Sequence, residues 1–246
     1  MIAHSCKLAT VSAQRFSVEG VARFVASMPG FYRLEYDDDE IAEHARIVER
    51  RGGAPVHVES LTNSSRAGNW LCVVTDDRPG LLSLLSAAIS AHSLDILNAK
   101  VYCRVRAGSP AEAVDFFAVR GLKPSLDVEL SPLLSSSLVN SIEGLLRGDL
   151  DAEALRKRSQ PTARIRRVAP SSAYFDENAE SDVLIVEAGD HPGLLLKITL
   201  TLFREGLTVR RSSVATMGHL ARDEFELSEI DGSPLSDARK SSCSVL

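Results

Sequence analysis

The sequence has few aromatic residues, an acidic balance and no long apolar run, and each feature excludes a class of protein. Aromatic side chains make up 5% of the 246 residues, too few for a surface that stacks nucleic-acid bases. The 33 Asp and Glu residues outnumber the 28 Lys and Arg residues, which argues against a basic nucleic-acid interface. No apolar run approaches the roughly 20 residues that a membrane span needs.

Cysteines are also scarce. The four cysteines, Cys6, Cys72, Cys103 and Cys243, form no Cys-x-x-Cys pair and have no histidine cluster beside them. This spacing predicts neither a disulfide framework nor a metal site. The first residues lack the apolar run of a signal peptide. We therefore expect a reduced, cytoplasmic protein without a cofactor, which binds neither nucleic acid nor membrane.

The remaining composition is that of a globular protein with one large or two small domains. Residues 1–54 read as a helical segment. Asp37, Asp38, Asp39 and Glu40 precede an apolar periodicity, and Arg50, Arg51 and Gly52 follow it. Acidic residues favour the start of a helix, while basic residues and glycine favour its end. The pattern predicts a solvated helix near residues 37–51.

An internal repeat organises the rest of the chain. An apolar strand, a Pro-Gly turn, an amphipathic helix and a hairpin occur after residue 69 and again after residue 181. Gly80 and Gly193 are 113 residues apart, and that offset also superimposes Ile96 on Val209. The hairpin loop is five residues longer in the first copy, since Asp115 lies 35 residues after Gly80 and Asp223 lies 30 after Gly193.

Each copy predicts an α+β unit of the ferredoxin-like βαββαβ type, with helices covering one face of an antiparallel sheet. The chain ends before a last strand of the second unit. We expect residues 56–59 to supply that strand, and residues 173–175 to close the first sheet in the same way. Small sheets of this kind tend to pair, so the two copies are expected to pair with each other.

The Pro-Gly turn before each amphipathic helix is the segment of the repeat that could bind a ligand. Helix N-terminal N–H groups favour an anion such as the α-carboxylate of an amino acid. Asp76, Asp77 and Asp190 are candidates to receive an α-ammonium group. The alternative is that Asp-x-Pro-Gly serves only as a tight strand-to-helix turn, since proline and glycine punctuate turns generally.

Residues 71–82, continuing through 96–101 and 114–119, resemble an ACT domain, and residues 183–195 with 223–227 resemble a second one. The order of the two, with Met28-Pro29-Gly30-Phe31-Tyr32-Arg33 ahead of them, resembles the C-terminal regulatory region of PII uridylyltransferase/uridylyl-removing enzymes. The resemblance implies an N-terminal helical segment (1–54), an ACT domain (55–122), a helical spacer completing it (123–172) and a second ACT domain (173–246).

The resemblance further implies allosteric binding of an amino acid, glutamine above all, at the turns and the ACT–ACT interface. The first implied site comprises Asp76, Asp77, Arg78, Pro79, Gly80, Leu81 and Leu82, with Asn98 and Ala99 opposite. The second comprises Asp190, His191, Pro192, Gly193, Leu194 and Leu195, with Arg211 and Ser212 opposite. A partner enzyme or a PII-type signalling protein would receive the signal, and a homodimer is a further option.

The second copy departs from the first at the site. Arg211 replaces Asn98, Ser212 replaces Ala99, and His191 replaces Arg78. An arginine at that position either binds a carboxylate or fills the pocket. The ligand of the second site is therefore open at this point, and His191 is expected to be a solvated loop residue.

Catalytic motifs of that enzyme family are not found in the sequence. Gly108-Ser109 and Gly232-Ser233 are each followed by proline, no His-Asp dipeptide occurs, and no P-loop or dinucleotide fingerprint is present. The sequence thus predicts a regulatory module without enzymatic activity. The alternatives are a C-terminal piece of the bifunctional enzyme and a scaffold that binds no ligand.

Overall fold

The computed structural model describes residues 17–62, 68–122, 131–159 and 171–243, which contain eight helices and eight strands. The helices are α1 (Val18–Ser27), α2 (Tyr32–Glu35), α3 (Asp38–Arg51), α4 (Leu81–Ala91), α5 (Pro132–Arg147), α6 (Ala152–Ser159), α7 (Leu194–Arg204) and α8 (Asp237–Cys243). The strands are β1 (Val56–Ser60), β2 (Asn69–Asp76), β3 (Leu94–Arg104), β4 (Glu112–Gly121), β5 (Ser172–Phe175), β6 (Val183–Gly189), β7 (Leu207–Met217) and β8 (Leu220–Glu229).

All eight strands form one antiparallel sheet in the order β1-β2-β4-β3-β7-β8-β6-β5. The second half of this order repeats the first half in reverse, as expected when two copies of one unit join through equivalent strands. The predicted α+β class is confirmed, and each half is consistent with a ferredoxin-like unit.

The predicted exchange of edge strands is wrong. Within the described residues, strand β1 pairs with β2 alone, as a hairpin, and β5 pairs with β6. Each half therefore supplies its own fourth strand from its N-terminal side and reads β-β-α-β-β followed by helix. The connector between β1 and β2 covers only residues 61–68, and a short connector favours pairing of the strands that it joins.

A pseudo-twofold axis passes through the pairing of β3 with β7. Ala99 pairs with Val214 and Val101 with Ser212, so the 113-residue offset converts one pair into the other. Lys100 lies on the axis, where its Nζ donates to Ser213 Oγ at 3.2 Å. The predicted pairing of the two copies within the chain is thus realised as a continuous sheet.

The two faces of the sheet are covered differently. Helices α4 to α8 contribute to one core, which also takes Val73, Phe117 and Phe225 from the strands; we call this side the α4/α7 face. Helices α1 to α3 cover the other side of the first half only, packing on Trp70 and Phe116; we call it the α3 face. Strands β2 and β4 are consequently buried on both faces along most of their length.

The predicted helix near residues 37–51 is confirmed as α3, but it is not a solvated one. Asp37 caps it and Glu40 completes a capping box, while Gly52 follows its last turn. Its apolar side packs on the sheet and buries His44, whose Nδ1 lies 2.6 Å from Tyr32 Oη. The N-terminal segment is therefore an integral layer of the fold.

A buried ion cluster ties α3 to the sheet. Glu112 on β4 lies 2.5 Å from Arg51 Nη1 and also accepts from Arg104 Nε, and all three side chains are at most 8% exposed. Arg51 reaches Asp76 as well, at 2.7 Å. Removing one partner from a buried cluster leaves the remaining charges uncompensated.

We predict that Glu112→Gln lowers the free energy of unfolding by about 3 kcal/mol, because Arg51 and Arg104 lose their shared countercharge. Urea denaturation measures this value. The control is Glu143→Gln, which removes a carboxylate paired with the exposed Arg147 and should change stability by about 0.5 kcal/mol or less. Equal losses of unfolding free energy in the two variants would contradict the assignment of Glu112 to a buried ion cluster.

Candidate functional site

Both Pro-Gly segments adopt the same turn between a strand and a helix. Leu81 N donates to Arg78 O at 3.1 Å, with Gly80 at φ 76° and ψ 4°. Leu194 N likewise donates to His191 O, with Gly193 at φ 81° and ψ 9°. This is a type II turn, in which proline suits the second position and glycine the third.

The helix that follows each turn starts without a side-chain cap. Neither α4 nor α7 receives a capping hydrogen bond from its N-cap residue, which is glycine in both cases. Each helix is 11 residues long and points the N–H groups of its first turn toward the space in front of the glycine. The helix dipole makes that space favourable for an anionic group.

A small cavity lies at the first turn and is built from both halves of the chain. The first half contributes Asp77, Arg78, Gly80, Leu81 and Leu82 from the turn and α4, together with parts of β3 and β4. The second half contributes side chains of α7 and β7. The cavity volume is about 20 Å³, which is room for about one water molecule.

Phe203 of α7 closes this cavity over Gly80. A Cβ atom placed on Gly80 would lie 2.6 Å from the Phe203 ring, so the ring occupies the approach to the turn. The 113-residue offset makes Ser90 the counterpart of Phe203. At the second turn, a Cβ placed on Gly193 would meet nothing within 4 Å. The first turn is thus closed and the second is open.

The structure brings together most of the residues predicted for the first site. Asp76 turns away from it toward Arg51, and exposed Arg78 donates to Leu146 O at 2.9 Å. Pro79 is exposed on the outer side of the turn. Ala99 is fully buried on the α4/α7 face, between the halves. Asn98 alternates with Ala99 and lies on the α3 face, where its Oδ1 has no hydrogen-bond partner among the described residues.

The second predicted site is divided in the same way. Asp190, His191, Pro192 and Gly193 form the turn, with His191 exposed. The buried residues of this site are Leu194, Leu195 and Ser212. Arg211 lies on the α3 face instead. Its guanidinium stacks 3.8 Å from the centre of the Phe31 ring and donates to Glu35 Oε1 at 3.2 Å.

Two β-bulges explain why the residues predicted for each site lie on different faces of the sheet. The register of β3 shifts between Ile96 and Asn98, and that of β7 shifts at the equivalent place, between Val209 and Arg211. Each bulge inserts one residue, so simple alternation through the strand no longer tells which face a side chain takes.

Glu35 connects α2 to both halves of the sheet. Its carboxylate lies 3.0 Å from Lys100 Nζ, accepts from Tyr102 Oη at 3.0 Å, and binds Arg211 of the second half. Burial acts to raise the pKa of this carboxyl, but Lys100, Tyr102 and Arg211 outweigh it and lower the pKa. The three contacts keep Glu35 charged on the α3 face, behind the junction at which the cavity lies.

Two carboxyl groups at the site were missed as site residues. Asp115 on β4 and Asp223 on β8 are each 1% exposed and lie on the α4/α7 face below the turns. Burial raises the pKa of both, with a further contribution from Asp77 and Asp190 respectively, and that of Asp223 reaches about 7. An acidic residue at the same place in two otherwise apolar strands is the signal that could have found them.

Among curated proteins, the chain is similar to the bifunctional uridylyltransferase/uridylyl-removing enzyme of Rhodospirillum rubrum, with 29% identity over 208 residues. Enzymes of the same name from Phenylobacterium zucineum and Acinetobacter baumannii are 29% and 24% identical over 217 and 237 residues. The predicted resemblance to this enzyme family is confirmed. No protein-family model matches the chain, and the comparison with solved structures gave no significant match.

The uridylyltransferase relatives are much longer than this chain. Their alignments cover 82–90% of the chain but only 22–25% of the relatives. The chain thus spans about a quarter or less of the curated relatives that it matches. In the described ranges, no helix is long and apolar enough to cross a membrane, and no three His, Cys, Asp or Glu side chains gather as a metal site would require.

The contact between Gly80 and Phe203 predicts that substitution by alanine lowers the free energy of unfolding more at Gly80 than at Gly193. Gly193→Ala should lower the free energy of unfolding by about 1–2 kcal/mol, because alanine is strained at positive φ. Gly80→Ala should cost more, because its Cβ also overlaps the Phe203 ring. Adding Phe203→Ala should recover part of that excess. A double-mutant cycle in urea measures the coupling, and a coupling near zero would contradict the packing described.

The buried Asp223 predicts a pH-dependent stability. Its folded pKa exceeds its unfolded pKa, so its unfavourable ionisation develops as pH rises from about 4 to about 7. Asp223→Asn should therefore gain stability over the wild type by on the order of 2 kcal/mol between about pH 5 and pH 8. Chemical denaturation at each pH tests this, with the exposed Asp149→Asn as control. A pH-independent difference would refute it.

Proposed function

We propose that the chain is a regulatory module of tandem ACT domains, active in the cytoplasm, that binds a free amino acid at the junction of its two halves. The observation that carries the proposal is the pair of equivalent turns at the junction: the first is filled by Phe203 of the other half, whereas the second, at Gly193, is open. A ligand held by both halves interacts with their relative arrangement. Binding therefore favours one arrangement over others, which is the physical content of allosteric regulation.

The amino acid we propose is glutamine, on the resemblance to PII uridylyltransferases. The coupling runs through β3, which lines the cavity at Val101 to Cys103 and carries Tyr102, whose hydroxyl donates to Glu35 on the other face. A shift between the halves would reach the N-terminal segment through this contact. A catalytic domain, a partner enzyme or a PII-type signalling protein would then receive the signal.

A second candidate function follows from the greater length of the uridylyltransferase relatives. The chain spans 22–25% of the uridylyltransferase relatives. The same module would serve as the regulatory part of such a bifunctional enzyme if it works as a region of a longer polypeptide. An open reading frame upstream that encodes a nucleotidyltransferase Gly-Ser motif and a His-Asp motif would decide for this candidate.

The two turns predict the stoichiometry of binding. Calorimetric titration of the wild-type chain with L-glutamine should give one site, at the open second turn, because Phe203 covers the first. Phe203→Ala should give two sites, and Ser90→Phe should abolish binding by closing the second turn as Phe203 closes the first. Thermal unfolding of each variant without ligand checks that it folds.

If glutamine does not bind, the other nineteen amino acids are tested by thermal shift, since a ligand at 100 times its Kd adds about 2.7 kcal/mol to the stability. No shift with any amino acid, for the wild type and for Phe203→Ala alike, would reject ligand binding in favour of a scaffold.

A further inference from the structure

We infer that Asp223 receives the α-ammonium group of the amino acid at the open second turn, and that Asp115 takes the same role at the first turn once Phe203 is removed. This inference rests on the proposed function and identifies the group that selects amino acids over other carboxylic acids. The aspartates of the turns, Asp76, Asp77 and Asp190, were the sequence-based candidates for that role.

The two side chains occupy the same position in both halves. Asp115 lies between Ala113 and Phe117 in the row of β4 that faces the α4/α7 side, and it pairs with Val101 across the hairpin. Asp223 lies between Ala221 and Phe225 on β8 and pairs with Val214, the equivalent of Val101. Both rows run beneath the Pro-Gly turn of their half, and Asp115 lines the cavity there.

Each carboxyl keeps one oxygen without a partner. Tyr102 N donates to Asp115 Oδ1 at 3.4 Å, and the backbone N–H of Ala215, the equivalent of Tyr102, acts on Asp223. Asp115 Oδ2 and Asp223 Oδ1 have no hydrogen-bond partner among the described residues, although both are buried. One oxygen of each carboxyl is therefore left unsatisfied, in a molecule whose two halves differ at many other positions of the site.

An unpartnered buried carboxyl is unfavourable in the free protein. Burying a carboxylate without a countercharge costs several kcal/mol, and the carboxyl side chains of Asp77 and Asp190 add repulsion to that cost. Neither Asp115 nor Asp223 forms an ion pair with Lys or Arg among the described residues, although Arg78 and Arg210 line the cavity beside Asp115. A positive charge brought by a ligand would favour the ionised carboxylate over the protonated form. An ammonium group carries that charge and donates the hydrogen bonds that the free oxygen can accept.

The opposite end of the ligand has its own partner. Leu81 N and Leu194 N close the turns, but the next N–H groups, of Leu82 in α4 and of Leu195 and Leu196 in α7, have no backbone acceptor among the described residues and can donate to an α-carboxylate. A helix N-terminus and a buried carboxyl together complement a zwitterion. An acid that lacks the ammonium group would leave the aspartate unsatisfied and add a second negative charge beside it.

The experiment compares L-glutamine with glutaramate, which lacks only the α-amino group. The wild-type chain should bind glutamine at least 100-fold more tightly than glutaramate. Asp223→Asn, which keeps the shape of the side chain, should weaken glutamine binding about 100-fold and leave the affinity for glutaramate unchanged or higher. Asp38→Asn is the matched control, because Asp38 is exposed on α3 and the substitution should leave glutamine affinity unchanged.

The Phe203→Ala background allows a second test, in which Asp115→Asn should remove one of two glutamine sites. This arm stands if Asp223→Asn fails to fold. Wild-type affinity and selectivity in Asp223→Asn, or two intact sites in the double variant, would overturn the inference while leaving the proposed function standing. Absence of binding by the wild type and by Phe203→Ala to any amino acid would instead overturn the proposed function.

Discussion

The pairing of β3 with β7 is the interaction on which the rest of the structure depends. It joins two four-stranded halves into one sheet and removes an open edge from each, which is the usual liability of small sheets. It also brings α4 against α7, so that Gly80 at the first turn faces Phe203 of the other half. The cavity exists only because of this pairing, since neither half provides all of its walls.

The symmetry created by that pairing is broken on the α3 face. Helices α1 to α3 cover the first half there, whereas the second half shows a charged surface that includes Glu187, Arg222 and Glu224. The boundary between the covered and uncovered parts runs along the junction itself, where Glu35 holds Lys100 of one half and Arg211 of the other. The N-terminal segment therefore contacts the two halves at the place where a change in their arrangement would be felt.

Much of the fold could be predicted from the sequence because its signals are local. The Pro-Gly turns, the acidic start of α3 and the helix periodicity depend on neighbours in the chain, and the repeat shows that two copies share one structure. The partner of β1 could not be predicted, because an edge strand of Val56–Ser60 fits either half by pattern alone. The domain boundaries stay predictions, and residues 1–16, 63–67, 123–130, 160–170 and 244–246 lie outside the described residues.

The candidate site contains features that could not be predicted from the sequence. Arg211 and Asn98 were assigned to the site by position, but bulges at equivalent places in β3 and β7 turn them to the other face. A bulge depends on pairing across strands and leaves no periodic signal in one strand. Asp115 and Asp223 aligned in the repeat, yet their burial beneath the turns becomes visible only when the strands are assembled.

Duplication explains why the two turns have come to differ. A site built from both halves is encoded twice, and each copy can change while the other keeps the function. A single side chain is enough for this, because the residue facing each turn comes from the opposite helix: Phe203 fills the space over Gly80, whereas Ser90 is its small counterpart. The backbone of both turns and the buried aspartate beneath each are retained. The closed turn then stabilises the junction by packing, while the open turn is the one at which the proposed ligand would bind.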